Sequence, residues 1–175
     1  MTPDLELLKN KRNQIKEIID ELQLTLTDDP NWDAPSDNSY LNEEELAITE
    51  IQDNVTAIKA TNKLISWFGQ DHEGFVGLWR GPNAIPLDKA QVVRLNDEAN
   101  YELVADTVPN YLMFTYFYGD EDTEQHEYNR VKKLLTDAGF TVAGDIEAIY
   151  DNIDYDSLQP EDYKEEQYNQ AQSRR

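Results

Sequence analysis

The chain has 175 residues, 39% hydrophobic and 10% aromatic, which is enough apolar material for one folded domain. Asp and Glu outnumber Lys and Arg by 36 to 15. The resulting net charge of −21 disfavours nucleic acid and anionic membranes as partners, since both are polyanions, and it favours basic proteins or metal cations. The absence of cysteine excludes disulfides, Cys-ligated zinc, iron–sulfur clusters and thiol nucleophiles.

The N-terminal sequence interleaves apolar and charged residues, unlike a signal peptide, and no apolar run approaches the roughly 20 residues of a membrane span. These features predict a soluble protein of the cytoplasm. Residues 4–26 are expected to form an amphipathic helix, because apolar residues recur at spacings of three, four or seven. They are Leu5, Leu8, Ile15, Ile18, Ile19, Leu22 and Leu26.

Residues 27–40 have the Pro, Asp, Asn and Ser content of a loop. Trp32 within this loop either packs back onto the domain or serves as an interface anchor. Helical spacing resumes over residues 42–60, where Asn42 is a candidate cap. Glu43 to Glu45 suit the positive end of the helix dipole, and Ile48, Ile51, Val55 and Ile58 are expected to line one side.

The pattern then changes to short aromatic or β-branched runs separated by turn residues. These runs predict an antiparallel meander of three or four strands over residues 63–69, 74–80, 91–96 and 101–106. Gly74, Gly77 and Gly81 interrupt or follow the second run, and glycine inside a strand marks a bulge or a close backbone approach.

Residues 107–119 suit a helix or a strand; Thr107, Pro109 and Gly119 favour the helix. A clearer helix is predicted over residues 122–139. We therefore expect one α+β domain over residues 1–150, with an antiparallel sheet of about four strands flanked by helices and an added N-terminal helix. Residues 151–175 are expected to be an acidic tail or a loosely docked segment.

Acidic residues are concentrated in blocks. Residues 28–53 hold nine acids and no base, residues 97–127 hold nine acids and no base, and residues 145–166 hold nine acids and Lys164. One interpretation is a solvated surface; the other is a negative surface that recruits a basic partner at high rate. The candidate partner-binding acids are Glu43, Glu44, Glu45, Asp97, Glu98, Asp120, Glu121 and Asp122, with Trp32 and Tyr118 as aromatic anchors.

Enzymatic motifs are weak. His72, between Asp71 and Glu73, is a candidate for metal or acid–base chemistry, but neighbours in a strand or turn point to different sides. His126 has Asp122 four residues before it and lacks a third ligand. The sequence at 151–162 begins like a calcium loop but lacks its Gly and its final Glu. We predict no catalytic residue, metal or cofactor.

The stretch "EGFVGLWRGP" (73–82), followed by "VVRLNDEANYELVADTV" (92–108), resembles the SUKH superfamily. The resemblance covers about residues 40–120 and has no counterpart in the first 40 residues or the tail. It implies an α+β fold with a twisted antiparallel sheet. It also implies an immunity protein that neutralises a bacterial toxin, often a nuclease, or else a regulatory or scaffolding role, and it carries over no catalytic residues.

The leading hypothesis is therefore a non-enzymatic immunity protein that binds a basic, nuclease-like toxin through an acidic surface. Two alternatives stay open. One is an adaptor whose acidity serves solubility alone, and the other is a small hydrolase that uses His72 and neighbouring acids.

Overall fold

The computed structural model describes residues 2–29, 31–113 and 121–174. Within these ranges the chain forms a five-stranded sheet and eight α-helices. The helices are α1 (Pro3–Lys11), α2 (Lys16–Leu22), α3 (Glu43–Leu46), α4 (Thr49–Asn62), α5 (Val108–Met113), α6 (Glu121–Asp137), α7 (Ile146–Asp151) and α8 (Pro160–Ser173). The strands are β1 (Thr25–Leu26), β2 (Ile65–Gln70), β3 (Gly74–Trp79), β4 (Gln91–Asn96) and β5 (Tyr101–Ala105).

The sheet is an antiparallel meander in the order β1-β2-β3-β4-β5. The predicted α+β class is confirmed, and four of the strands lie where the alternating pattern predicted them. The fifth, β1, pairs with the end of β2 through Thr25↔Gln70 and Leu26↔Gly69. None of the helices in the described ranges is both long and apolar enough to cross a bilayer.

The single helix predicted over residues 4–26 is wrong. The chain forms α1, a turn, α2 and then β1. The second helix ends where Gln23 adopts a left-handed conformation (φ 51°). The apolar residues were nevertheless assigned correctly to the buried side: Leu5, Leu8, Ile15, Ile18 and Leu22 are all buried. Apolar spacing identifies the buried side but does not detect a turn that preserves it.

The two faces of the sheet are covered by different helices. The first face packs against α1, α2, α5, α6 and α7 around a core that includes Phe68, Val76, Leu78, Val92 and Val104. The second face packs against α4 and α8 and carries Ile65, Trp79, Val93, Leu95, Tyr101 and Leu103. Alternation along the strands sends neighbouring residues to opposite faces, so β2 to β5 each contribute side chains to both faces.

Close backbone approach, predicted for the glycines of residues 74–81, is found at Gly74, where a Cβ atom would lie 2.1 Å from the Leu95 carbonyl oxygen on β4. A Cβ atom at Gly77 would instead meet side chains of β2, at 2.4 Å from Ile65 Cγ2 and 2.9 Å from Trp67 Cε3. Gly81 adopts φ +60° in the turn that follows β3. A register shift also occurs between Trp67 and Gly69 on β2. Glycine is therefore used here to fit neighbouring side chains against the sheet.

The region after β5 is helical at its start. Thr107 Oγ1 accepts a hydrogen bond from the Asn110 amide at 3.3 Å and so caps α5, as its position predicted. Residues 114–120, the second half of that predicted helix, lie outside the described residues. The helix predicted over residues 122–139 is present as α6, and Gly139 follows it at φ +100°.

The segment predicted as an acidic tail or a loosely docked segment contains α8. This helix contacts the second face at several points. The Tyr163 ring lies 6.1 Å from that of Trp79, Glu161 Oε2 accepts a hydrogen bond from the Tyr101 amide at 2.8 Å, and Lys164 Nζ donates to the Ala99 carbonyl at 2.9 Å. Glu161 therefore uses a backbone donor at the β5 edge of the sheet.

Candidate partner-binding surface

Glu43 to Glu45 form the first turn of α3, which Asn42 caps. Asn42 Oδ1 accepts a hydrogen bond from the Glu45 amide at 2.9 Å, and Glu45 Oε2 accepts one from the Asn42 amide at 2.9 Å. Glu45 is thus engaged in a capping box. Glu43 and Glu44 are exposed, and within the described residues their side-chain carboxylates form no ion pair or hydrogen bond, so their charge is available to solvent or to a partner.

Asp97 and Glu98 lie in the turn between β4 and β5. Asn96 Oδ1 accepts hydrogen bonds from the amides of Glu98 (3.1 Å) and Asn100 (3.0 Å), and Ala99 takes a positive φ of 61°. The turn therefore has a defined backbone, held from within by a side chain. Both acids are exposed on it, so their charge is presented on a rigid element.

The remaining predicted residues lie elsewhere. Trp32 is half-buried, and its ring meets that of Phe75 edge-on at 5.6 Å and 73°. Tyr118 and Asp120 lie outside the described residues, and Glu121 and Asp122 begin α6. Glu121 and Asp122 therefore belong to a helix that packs on the first face, whereas Glu43 and Glu44 precede α4, which packs on the second.

The apolar side of α4 is oriented differently from the expectation of a buried stripe. Ile48 is 47% exposed, and Ile51, Val55 and Ile58 are only half-buried. The residues of α4 that are buried are instead Asp53, Ala57, Thr61 and Asn62. This helix therefore buries small and polar residues and leaves a partly open apolar stripe.

Hydrogen bonds account for this orientation. Asn62 Nδ2 donates to the Pro35 carbonyl at 2.9 Å, and Asn62 Oδ1 accepts from the Tyr101 hydroxyl at 2.6 Å. Buried polar groups are costly unless they are bonded, so these contacts fix which side of α4 faces the sheet. Burial, with the nearby Glu161 carboxylate adding to it, raises the pKa of Tyr101 well above its usual value.

A groove of about 580 Å³ runs between α4 and α8. Ile51, Val55 and Ile58 of α4 and Tyr168 of α8 supply its apolar lining. Tyr40 also lines the groove and is 73% exposed. An exposed apolar strip of this kind on a folded domain marks an interaction surface.

The rim of this groove is acidic. Glu50, Glu161 and Glu165 line it, and the basic residue in its lining is Lys164. Lys164 is neutralised in place, because its Nζ lies 2.5 Å from Glu161 Oε1. Within the described part of the chain, the side-chain carboxylates of Glu50 and Glu165 form no ion pair or hydrogen bond. The groove therefore combines an apolar floor with unpaired negative charge.

A smaller cavity of about 150 Å³ extends this surface toward the β4–β5 turn. It shares Tyr40, Val55 and Ile58 with the groove, and it adds Asp37 and Asp97 together with one base, Lys59. Hydrogen bonds from Ser39 lower the pKa of Asp37, which keeps this carboxylate charged. Asp97 and the α4–α8 groove thus belong to one continuous acidic surface, which we call the α4–α8 surface.

A second polar cluster, which no sequence motif predicted, lies on the first face. The buried Arg94 guanidinium donates to Asp71 Oδ2 through Nη2 (2.9 Å) and Nε (3.2 Å), and it also pairs with Glu73 and Glu102. The Tyr111 hydroxyl donates to the same Asp71 oxygen at 2.8 Å. The predicted hairpin of β4 and β5 brings Glu102 opposite Arg94, but no sequence pattern links either residue to Asp71 or Tyr111.

The two buried charges of this cluster, those of Arg94 and Asp71, neutralise each other. Burial would lower the pKa of Arg94, but Asp71, with Glu73, outweighs it and raises the pKa. Burial, and then Asp71, raises the pKa of Tyr111 well above its usual value. Asp71 Oδ1 also accepts hydrogen bonds from the amides of Glu73 and Gly74, both at 2.9 Å. The cluster therefore anchors the β2–β3 turn to β4 and α5.

His72 lies in the same turn but is held by the backbone. Its amide donates to the Leu22 carbonyl at 3.0 Å, and its Nδ1 lies 3.2 Å from the same oxygen. Its Nε2 is 3.9 Å from Glu73 Oε1. Among the described residues there is no group of three or more His, Asp or Glu side chains placed to hold a metal ion, so the geometry links His72 to α2 rather than to a set of ligands.

Comparison of this chain with protein-family models, curated proteins and solved structures finds no match. The resemblance to the SUKH superfamily therefore stays a prediction, carried by residues 73–108.

Proposed function

We propose that this chain is a non-enzymatic binding protein of the cytoplasm that docks a basic protein on the α4–α8 surface. Its role would be that of an immunity protein that neutralises a basic, nuclease-like toxin. The observation that carries the proposal is the half-exposed apolar stripe of α4, bordered by carboxylates that lack partners within the described residues.

Charge supports the basic partner. A net charge of −21 repels nucleic acid and anionic membrane surfaces, whereas a nuclease is basic because its substrate is a polyanion. Unpaired carboxylates on a rigid surface steer such a partner and raise the association rate, up to about 10⁸–10⁹ M⁻¹s⁻¹ at low salt. Fast association matters for a protein that must intercept a toxin before the toxin acts.

The other functional readings draw less support. A hydrolase centred on His72 would need a free acid beside it, and Asp71 is already bonded to Arg94 and Tyr111. An adaptor whose acidity serves solubility alone gives no reason for apolar side chains and unpaired acids to share one groove. The adaptor also differs in its prediction: reversal of the surface charges should leave its partner binding intact.

Binding to basic nuclease domains tests the proposal. A panel of catalytically inactivated bacterial nuclease domains would be titrated against the full chain by biolayer interferometry at about 50 mM and about 500 mM salt. We expect at least one domain to bind, with affinity falling about tenfold or more at high salt. We also expect the active form of that nuclease to be inhibited at equimolar protein.

Two outcomes would count against this function. Equal affinity at both salt concentrations would contradict an electrostatic interface. Binding without inhibition of the nuclease would favour an adaptor over an immunity protein.

A further inference from the structure

The α4–α8 surface has the shape of a helix-binding site. Two helices border the groove, and the apolar lining comes from one stripe of α4, with Tyr168 opposite and Tyr40 at the mouth. A third amphipathic helix fits such a groove through residues spaced three or four apart. An added strand has fewer places to pair, because α8 lies beside β5 and β1 is two residues long.

The charges around the groove favour one kind of helix. The carboxylates of Glu50 and Glu165 have no ion-pair partner within the described residues. The basic residue that lines the groove, Lys164, is paired with Glu161. A second copy of this chain would bring its own net charge of −21 against the same carboxylates. A lysine- and arginine-rich helix would instead neutralise them while burying the apolar stripe.

Resting on the function proposed above, we propose that the α4–α8 groove receives a basic amphipathic helix of the partner protein. The apolar side of that helix contacts Tyr40 and Val55, and its basic residues lie against Glu50 and Glu165. Tyr40 is the anchor, because it is the most exposed large apolar side chain in the described residues and tyrosine is enriched among interface hot spots.

Two synthetic peptides of identical composition serve as probes. One places Leu at helical spacing among Lys residues; the other carries the same residues in scrambled order. Fluorescence anisotropy at low salt measures the affinity of each for the full chain. We expect the amphipathic peptide to bind at least about tenfold more tightly than the scrambled one. Equal affinities would overturn the helix-in-groove proposal.

Matched variants locate the site. Glu50→Lys/Glu165→Lys changes the net charge by the same amount as Glu21→Lys/Asp151→Lys, whose exposed acids lie outside the groove lining. We expect the first pair to weaken binding of the amphipathic peptide about tenfold or more and the second less than about threefold. Equal losses would show that the whole field, not this groove, attracts the peptide.

Tyrosine variants separate the apolar contact from charge. Tyr40→Ser should weaken the binding of the amphipathic peptide about tenfold. Tyr155→Ser, at a residue that is 61% exposed and lies outside the groove, should leave the affinity unchanged. Circular dichroism checks that each variant is folded. An unchanged affinity for Tyr40→Ser would overturn the anchor.

Failure of the groove and failure of the proposed function are distinguishable. If both charge-reversal pairs weaken the binding of a nuclease equally, the α4–α8 surface is the wrong docking site, while the neutralisation of a basic nuclease by this acidic chain still stands. If no basic nuclease binds the unmodified chain, the proposed function itself fails, whatever the peptides do.

Discussion

The Arg94 cluster on the first face and the α4–α8 groove on the second use the same residue types in opposite ways. Arg94 and Asp71 have side chains that are 4% and 0% exposed, and their hydrogen bonds are made within the chain. In the groove, by contrast, the carboxylates of Glu50 and Glu165 have no ion-pair partner within the described residues, and Tyr40 is largely exposed. Charge that is matched internally holds a fold together, and charge left unmatched beside apolar surface is available to another molecule.

The strongest test of this contrast is Arg94→Ala. Removing the guanidinium leaves Asp71 buried without its counter-ion, so we expect a loss of about 3–5 kcal/mol in the free energy of unfolding, measured in urea. Lys59→Ala removes an exposed cation that lines the α4–α8 surface and should cost less than about 1 kcal/mol. Similar losses in the two variants would show that the cluster is not a stabilising device.

Apolar truncations compare the two faces directly. Leu78→Ala, in the first-face core where Leu78 is 1% exposed, should cost about 2–5 kcal/mol. Val55→Ala, on the half-exposed stripe of α4, should cost less than about 1 kcal/mol. Chemical denaturation of both variants measures the difference. A large loss for Val55→Ala would mean that the stripe belongs to the core and is not kept for a partner.

Docking of α8 is tested by Tyr163→Ala. The Tyr163 ring packs near that of Trp79, so its loss should cost about 1–2 kcal/mol and speed amide exchange in α8. Tyr155→Ala removes an exposed ring from the preceding loop and should change stability by less than about 0.5 kcal/mol. If Tyr163→Ala changes neither stability nor exchange, the segment 151–175 is loosely docked, as its composition predicted.

High pH should have the smallest effect and should act through Tyr101 and Tyr111. Both have a folded pKa raised above the usual value, chiefly by burial. Their contribution to stability is therefore complete below about pH 10 and is lost as the pH rises beyond it, because the unfolded state ionises first. Thermal unfolding as a function of pH measures this loss.

A matched pair of variants tests whether Tyr111 causes this loss of stability at high pH. Tyr111→Phe should reduce the fall in stability above about pH 10, and Tyr155→Phe, at an exposed position, should leave the profile unchanged. Profiles that fall equally for Tyr111→Phe and the unmodified chain would contradict a role for Tyr111.

The predicted partner-binding acids among the described residues lie on several elements: α3, the β4–β5 turn and the start of α6. The exposure of Asp97 and Glu98 on a defined turn followed from local sequence, since turn residues and alternating strands are short-range signals. The groove did not follow, because the apolar stripe of α4 had been expected to face the core. Apolar spacing alone does not say which side of a helix is buried when polar contacts such as Asn62 with Tyr101 decide its orientation.

Amino-acid sequence alone predicts the α+β class, the positions of β2 to β5 and α6, and the excess of negative charge. Each depends on residues a few positions apart or on composition. The break between α1 and α2 preserves the apolar spacing, so that spacing does not reveal it. The buried Arg94 cluster and the open side of α4 come from tertiary contacts, because hydrogen bonding and packing between elements join distant residues there, such as Asp71 with Tyr111 across 40 positions.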